Sequence, residues 1–218
     1  EIRLSLVGSE MCIRDRYSRM PYCRHISAVT HWRKVMPAYS GKAQPYLDAI
    51  AAGVFTSAAV RTWLLSGTQH EATYAGSNAL VDEQRSARWK SKPTLQPFWA
   101  NYWCGKDSAC TCRIVGSKGL ESDAIFFLRN AAGRTLAAHV EFKHSREKFG
   151  YGQPEAYPLR AACFAATHSS RKTLNPHEDW MTVIFCGPEA ISDPRLAAFQ
   201  RVITHEEARR ILPGYPTL

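Results

Sequence analysis

Short apolar runs rich in β-branched and aromatic residues recur through the second half of the chain: TCRIVG (111–116), SDAIFFL (122–128), TLAAHVEFK (135–143) and MTVIFCG (181–187). Runs of this length and composition predict strands. Between the third and the fourth, QPEAYPLRAACFAATH (153–168) predicts a helix. Pro154 suits its first turn, whereas Pro158 marks either the true start or a kink. Ahead of the strands, SNALVDEQRSARWKS (77–91) predicts a helix with Ser77 as N-cap. There Leu80, Glu83, Gln84 and Ala87 share one face by their i, i+3, i+4, i+7 spacing, and Lys92-Pro93 ends it. Residues 46–66, YLDAIAAGVFTSAAVRTWLLS, predict two short helices broken at Gly53, with Thr56 or Ser57 capping the second. Near the end, Thr204 and Glu207 make a capping-box pattern over THEEARRIL. The pattern is that of an α/β domain: helices over 45–75, then helix, three strands, helix and strand over 77–187, then C-terminal helices over 192–213. No internal repeat is present.

The second and third strands meet at NAAGR (130–134). A three-residue loop with Gly133 in the left-handed position fits a tight hairpin. Asn130 then faces Arg134, so paired residues have numbers that sum to 264. This register sets Asp123 opposite Glu141 and Glu121 opposite Lys143. Side chains alternate along a strand, and directly opposed residues share a face. Asp123, Glu141 and Lys143 therefore converge on one patch, while Ala124, Val140 and Phe142 point the other way. Two carboxylates this close repel unless a cation stands between them. Hard oxygen ligands suit Mg²⁺ or Mn²⁺, and a neighbouring lysine can orient a water beside a phosphate. A slip of one residue would reverse every face. The competing reading is a solvated charged face with one cross-strand salt pair.

Composition narrows the class. Hydrophobic residues make up 45% and charged residues 22% of the chain, which is globular rather than disordered. No run of about 18 apolar residues offers a membrane span. The formal charge of +9 points to an anionic partner, most often nucleic acid. The paired helices of 46–66 could form a helix-turn-helix, but the second offers only Arg61 to read bases, so packing on the core is the better reading. ARWKSKPTLQPFWANYWCGK (87–106) interleaves bases with aromatics. Such a mixture can hold single strands, yet large aromatics more often fill a core. Arg88, Lys90 and Lys92, with Arg146 and Lys148, are the candidate phosphate contacts.

The cysteines give no disulfide framework: no secretory signal precedes them, and a reduced, cytoplasmic setting is expected. Cys104, Cys110 and Cys112 have the spacing C-x5-C-x-C. Zinc sites more often show C-x2–4-C pairs. A fourth ligand is not evident, although Cys23 or His25 could supply one. The spacing therefore predicts partly buried thiols rather than a structural Zn²⁺.

The N-terminal stretch SLVGSEMCIRDR (5–16) has no strand or helix period. It has no continuous apolar core for a signal peptide either. Leu6–Asp15 can be reverse-translated as CTC-GTG-GGC-TCG-GAG-ATG-TGT-ATA-AGA-GAC, which resembles the end of a transposon-based sequencing adapter. Residues 1–16 are thus expected to lie outside the fold, with Met20 as a plausible start and 20–218 as one domain.

The residues SDAIFFL…HVEFK…GQPEAYPLRA resemble the PD-(D/E)xK, or restriction-endonuclease-like, nuclease superfamily. That pattern places an Asp on the second core strand, a Glu-x-Lys on the third and often a Gln at the next helix. Asp123, Glu141, Lys143 and Gln153 stand in those places, although Ser122 replaces the Pro. The first helix often adds an acid, here Glu83, with Asp82 as rival. The resemblance covers about half the chain and implies an αβββαβ core, a central mixed four-stranded sheet flanked by helices, with an N-terminal helical extension. It implies Mg²⁺- or Mn²⁺-dependent hydrolysis of DNA. Asp123, Glu141 and the Phe142 main-chain carbonyl would hold the metal. Lys143 would position the attacking water, and Gln153 would orient Lys143 or the water. DNA is the expected partner, and a homodimer is compatible with the resemblance. The alternative is a non-catalytic nucleic-acid-binding module or a subunit of a DNA-processing complex. Endo- and exonuclease action both fit. No phosphate-binding Gly loop or G-x-S-x-G elbow supports another enzyme class.

Overall fold

In the computed structural model, residues 41–91, 95–104, 110–117, 121–167 and 174–217 are described. All belong to one unit, Ala38–Leu218. Residues 1–16, Met20, Cys23, His25 and Lys92 lie outside the described residues. The described residues begin with α1 (Gln44–Thr56), α2 (Ala58–Leu65) and the one-turn α3 (Glu71–Tyr74). Next come β1 (Asn78–Ala79), α4 (Val81–Ser91), β2 (Ala100–Trp103), β3 (Glu121–Arg129) and β4 (Thr135–Phe142). α5 (Gln153–Thr167), β5 (Asp179–Cys186), two 3-10 turns, β6 (Arg201–Thr204) and α6 (His205–Ile211) complete it. The fold is mixed α/β. Among the described residues no helix is long and apolar enough to cross a membrane.

The sheet has six strands rather than four, in the order β1-β3-β4-β5-β6, with β2 also on β3. β1, β2 and β4 run antiparallel to β3, while β4, β5 and β6 are parallel. The β3–β4 ladder runs from Ala124–Val140 to Arg129–Thr135, which is the register set by the turn at 130–134. The turn is closed by the Gly133 N–H on the Asn130 carbonyl at 3.0 Å and by the Arg134 N–H on Asn130 Oδ1 at 2.9 Å. Gly133 has φ +81°, a conformation that costs glycine nothing.

Several expected boundaries shift. TCRIVG (111–116) is not a strand: its residues form an irregular segment with a turn at 115–116. The first strand of the antiparallel triplet is ANYW (100–103), whose Ala100 and Tyr102 are buried while Trp103 is exposed. α1 does not break at Gly53 but continues to Thr56. A Cβ at Gly53 would stand 2.6 Å from Leu212 Cδ2, so glycine there permits a close helix approach. The break falls at Ser57, whose Oγ accepts from the Val60 N–H. Ser77 is not a cap, because residues 78–79 pair with β3 before α4 begins at Val81. Residues 201–204, expected as helix, extend the sheet beside β5. Thr204 does cap α6, accepting from the Glu207 N–H at 3.1 Å.

Two apolar layers follow from strand alternation. Ala124, Phe126, Leu128, Leu136, Ala138, Val140 and Phe142 face Leu47, Ile50, Val60, Leu64 and Leu212 from the N- and C-terminal helices. Ile125, Phe127 and Ala137 face Leu80, Tyr102 and the α5 residues Cys163 and Phe164. α1 and α2 thus pack on the sheet. Arg61, the candidate base reader, is buried and donates to the Ser77 and Val54 carbonyls, each at 2.8 Å. The helix-turn-helix reading has no side chain left to carry it.

Candidate active site

The N-terminal end of β3, the C-terminal end of β4 and the start of α5 meet at one end of the sheet. Extending the β3–β4 register one pair past Ala124–Val140 sets Asp123 opposite Glu141. The Phe142 N–H donates to Asp123 Oδ2 at 2.8 Å, which ties the aspartate to β4. Glu141 is 2% exposed and accepts from three donors. Gln153 Nε2 reaches its Oε1 at 2.7 Å, Lys143 Nζ stands 3.1 Å from the same oxygen, and the Tyr157 hydroxyl donates to Oε2. Gln153 is itself held, since its Oε1 accepts from the Gly150 N–H at 3.0 Å. The structure thus brings Asp123, Glu141, Lys143 and Gln153 together. Gln153 contacts Glu141 rather than Lys143.

Lys143 Nζ bridges Glu141 and Glu147, the latter at 3.2 Å. Burial works against its charge, but the two carboxylates outweigh burial and raise its pKa above the ordinary lysine value. Lys143 is therefore an ammonium at neutral pH, a donor and not a base. Burial pushes the Glu141 carboxyl above the usual carboxylate range, against the pull of Lys143, Tyr157 and Arg160. Burial, then the charges of Glu141 and Asp123, hold the Tyr157 phenol well above its usual pKa, so it stays a donor. Burial and the nearby Glu141 push Glu121 up to about 7, with Arg160 opposing.

Sequence reasoning misses Tyr157, Arg160 and Glu147. Gln153, Tyr157 and Arg160 are spaced i, i+4, i+7, and that spacing is the signal that places them on one helix face. Arg160 is fully buried and donates from Nη1 to the Glu121 carbonyl at 2.5 Å. It joins α5 to the start of β3.

Other expected residues stand elsewhere. Glu83 is exposed and 3.6 Å from Arg129, at the opposite end of β3 from Asp123, about 20 Å along the strand. Asp82 is exposed and pairs with Arg85 at 3.1 Å. The sheet-facing position of α4 is instead Gln84, which donates to the Ile125 carbonyl at 2.6 Å. Arg88 is buried. It donates to the carbonyls of Phe98, Ala100 and Asn101 and lies 3.9 Å from the Tyr102 ring centroid, so its side chain holds the β2 segment rather than a phosphate. Lys90, Arg146 and Lys148 are exposed. The last two border a cleft of about 590 Å³ that opens beside Lys143, lined also by Glu147, Glu189 and Arg195.

A second cluster lies under α5. Cys163 supplies the fourth thiol that the spacing of Cys104, Cys110 and Cys112 does not reveal. All four Sγ atoms lie within 4.8 Å of one another, and together they could bind a metal. The thiols are free and mostly buried, as expected, but they are gathered in one cluster whose fourth member comes from α5. Compared with family models, with curated proteins and with solved structures, the chain matches none.

Proposed function

We propose that the chain is a metal-dependent DNA nuclease of the PD-(D/E)xK type, with Asp123, Glu141, Lys143 and Gln153 as its site. The observation that carries this reading is the Gln153–Glu141 hydrogen bond of 2.7 Å. It joins a hairpin residue to the next helix at the residues that the motif resemblance singles out. The donor set fits a hard divalent cation: Asp123 and Glu141 oppose each other, and Glu141 Oε2, with two lone pairs, has the Tyr157 hydroxyl on it. Asp123, Glu141 and the Phe142 carbonyl would hold Mg²⁺ or Mn²⁺. When bound, the ion would neutralise phosphate charge and lower the pKa of an attacking water. Lys143, kept protonated by its two carboxylates, would stabilise charge developing on the phosphate. Gln153 and Tyr157 are positioning residues that fix the Glu141 carboxylate. Arg146 and Lys148, at the adjoining cleft, would contact the DNA backbone.

One observation favours the rival reading of a non-catalytic nucleic-acid-binding module. Glu141 is almost wholly buried, and both its oxygens are already engaged. Cleavage assays separate the two. The purified protein should cut DNA with Mg²⁺ or Mn²⁺, and Ca²⁺ should support binding without turnover. Asp123→Asn and Glu141→Gln should abolish cleavage while DNA binding persists. Lys143→Ala should lose roughly 10²-fold in rate, the size expected for one charge-stabilising donor. Because Lys143 is 7% exposed, that variant also loses stability, so its rate is read on material shown to be folded. If single-stranded, double-stranded and branched DNA all survive both metals, the binding module becomes the better account. If Asp123→Asn cuts as well as the parent, another carboxylate serves, and Glu121 is the first to test.

A further inference from the structure

We propose that Cys104, Cys110, Cys112 and Cys163 form a tetrahedral zinc site that pins α5 to the end of β2. Cys104 directly follows β2 and is buried, as are Cys112 and Cys163, while Cys110 is partly exposed. Cys110 and Cys112 stand two apart in the irregular segment, and their sulfurs turn toward each other. The Sγ–Sγ separations are 3.3 Å for Cys104–Cys110, 3.7 Å for Cys104–Cys163 and 3.0 Å for Cys110–Cys112. Each is far beyond the roughly 2.05 Å of a disulfide. A regular tetrahedron of thiolates with Zn–S bonds of about 2.3 Å has edges of about 3.8 Å. The four sulfurs gather at that scale, around a common centre and not along a bond.

The chemistry narrows the ion to a single soft one, zinc or a lone iron, which elemental content separates. Soft thiolates reject Mg²⁺ and Ca²⁺ and favour Zn²⁺ or iron. An iron–sulfur cluster interposes several iron and sulfide atoms, which spreads its four thiolates wider than one ion does. Four sulfurs drawn within 4.8 Å fit a single ion. With four protein ligands no position is left open, so the site is structural. The surroundings agree: Tyr102, Phe127, Phe164 and Leu174 pack about the thiols in one apolar cluster, which shields the bonds from water. On binding, each thiol releases its proton to the buffer and gives a thiolate to the metal.

The consequence reaches the other end of α5. Cys163 lies on the helix that also carries Gln153, Tyr157 and Arg160. An ion there would brace the irregular 110–117 segment and β2 against that helix.

Metal analysis of the full-length chain tests this without reference to cleavage. The protein, purified from cells grown with both zinc and iron, should contain one zinc per chain by mass spectrometry of the elements. Cys163→Ser should lose most of it, and Cys186→Ser, a buried cysteine on β5 outside the quartet, should retain it. Should Cys163→Ser fail to fold, the wild-type protein remains the test. Cobalt(II) added to metal-stripped wild type should give the intense visible absorption of tetrahedral thiolate coordination, and added zinc should abolish it. Zinc-free wild type, iron in place of zinc, or full zinc content in folded Cys163→Ser would each overturn the assignment. None of these results bears on whether Asp123 and Glu141 support hydrolysis.

Discussion

The two clusters of this protein are built in opposite ways. The acidic one stands on a single hairpin, where the turn at Gly133 fixes which side chains oppose each other. The thiol one gathers residues from the end of β2, from an irregular segment and from α5. A register is a local property: once the loop length is known, the pairing of every residue up to the strand ends follows. Convergence from separate elements is not local. It depends on how α5 lies across the sheet, which the spacing C-x5-C-x-C does not encode. The difference teaches that a missing fourth ligand in a sequence motif is weak evidence against a metal site when a helix passes over it.

The comparison can be broken first at Arg160, which lies on α5 between the two clusters in sequence. Its guanidinium is fully buried, donates to the Glu121 carbonyl and lies 4.6 Å from the Tyr157 ring centroid. Arg160→Met should cost about 3 kcal/mol in a denaturant titration, the size expected for removing a buried hydrogen-bonded charge. If α5 is held by the thiol site independently, zinc content should stay at one per chain. A loss below about 1 kcal/mol, no more than a single ordinary hydrogen bond contributes, would show that the two clusters do not depend on this side chain.

A smaller effect sharpens the local half of the comparison. Gly133 has φ +81°, and a Cβ added there would meet nothing within 4 Å. Gly133→Ala should therefore cost about 1 kcal/mol from backbone conformation alone, with cleavage and zinc content retained. An unchanged melting temperature would mean that the turn does not need its left-handed residue, and that the register rests on packing instead.

The smallest effect is one of pH. Glu121, pushed from 4.5 up to about 7, binds its proton more tightly when folded than when unfolded. Its contribution to stability is fully present below about pH 4.5 and is lost as pH rises through about 7. The melting temperature should fall across that window, and Glu121→Gln should flatten the fall. An equally steep fall in Glu121→Gln would assign the effect to Glu141, whose carboxyl is also raised.

Much of the architecture is legible in the sequence because it follows from short-range chemistry. The apolar runs of 122–128, 135–143 and 181–187 correspond to β3, β4 and β5 within two residues at each end. Gln153 stands at the start of α5, where the predicted helix of 153–168 begins. TCRIVG misleads because β-branched residues fit a strand anywhere, but an edge position on β3 is taken by whichever segment can bury its side chains there. Ala100 and Tyr102 do so, while Val115 is 94% exposed. Glu83 misleads for a related reason. Leu80 of the predicted stripe does join the core, but beside it Gln84, not Glu83, turns to the sheet.

By itself the sequence determined the types of the main helices and strands, the hairpin register and hence the opposition of Asp123 and Glu141, because backbone periodicity and turn geometry act over a few residues. Tertiary structure alone decided that Tyr157 donates to Glu141 and Arg160 to the Glu121 carbonyl, that Arg88 and Arg61 serve backbone carbonyls, and that Cys163 completes a thiol quartet. Those outcomes depend on which helix face meets which strand, and that is settled by the summed packing of the whole core.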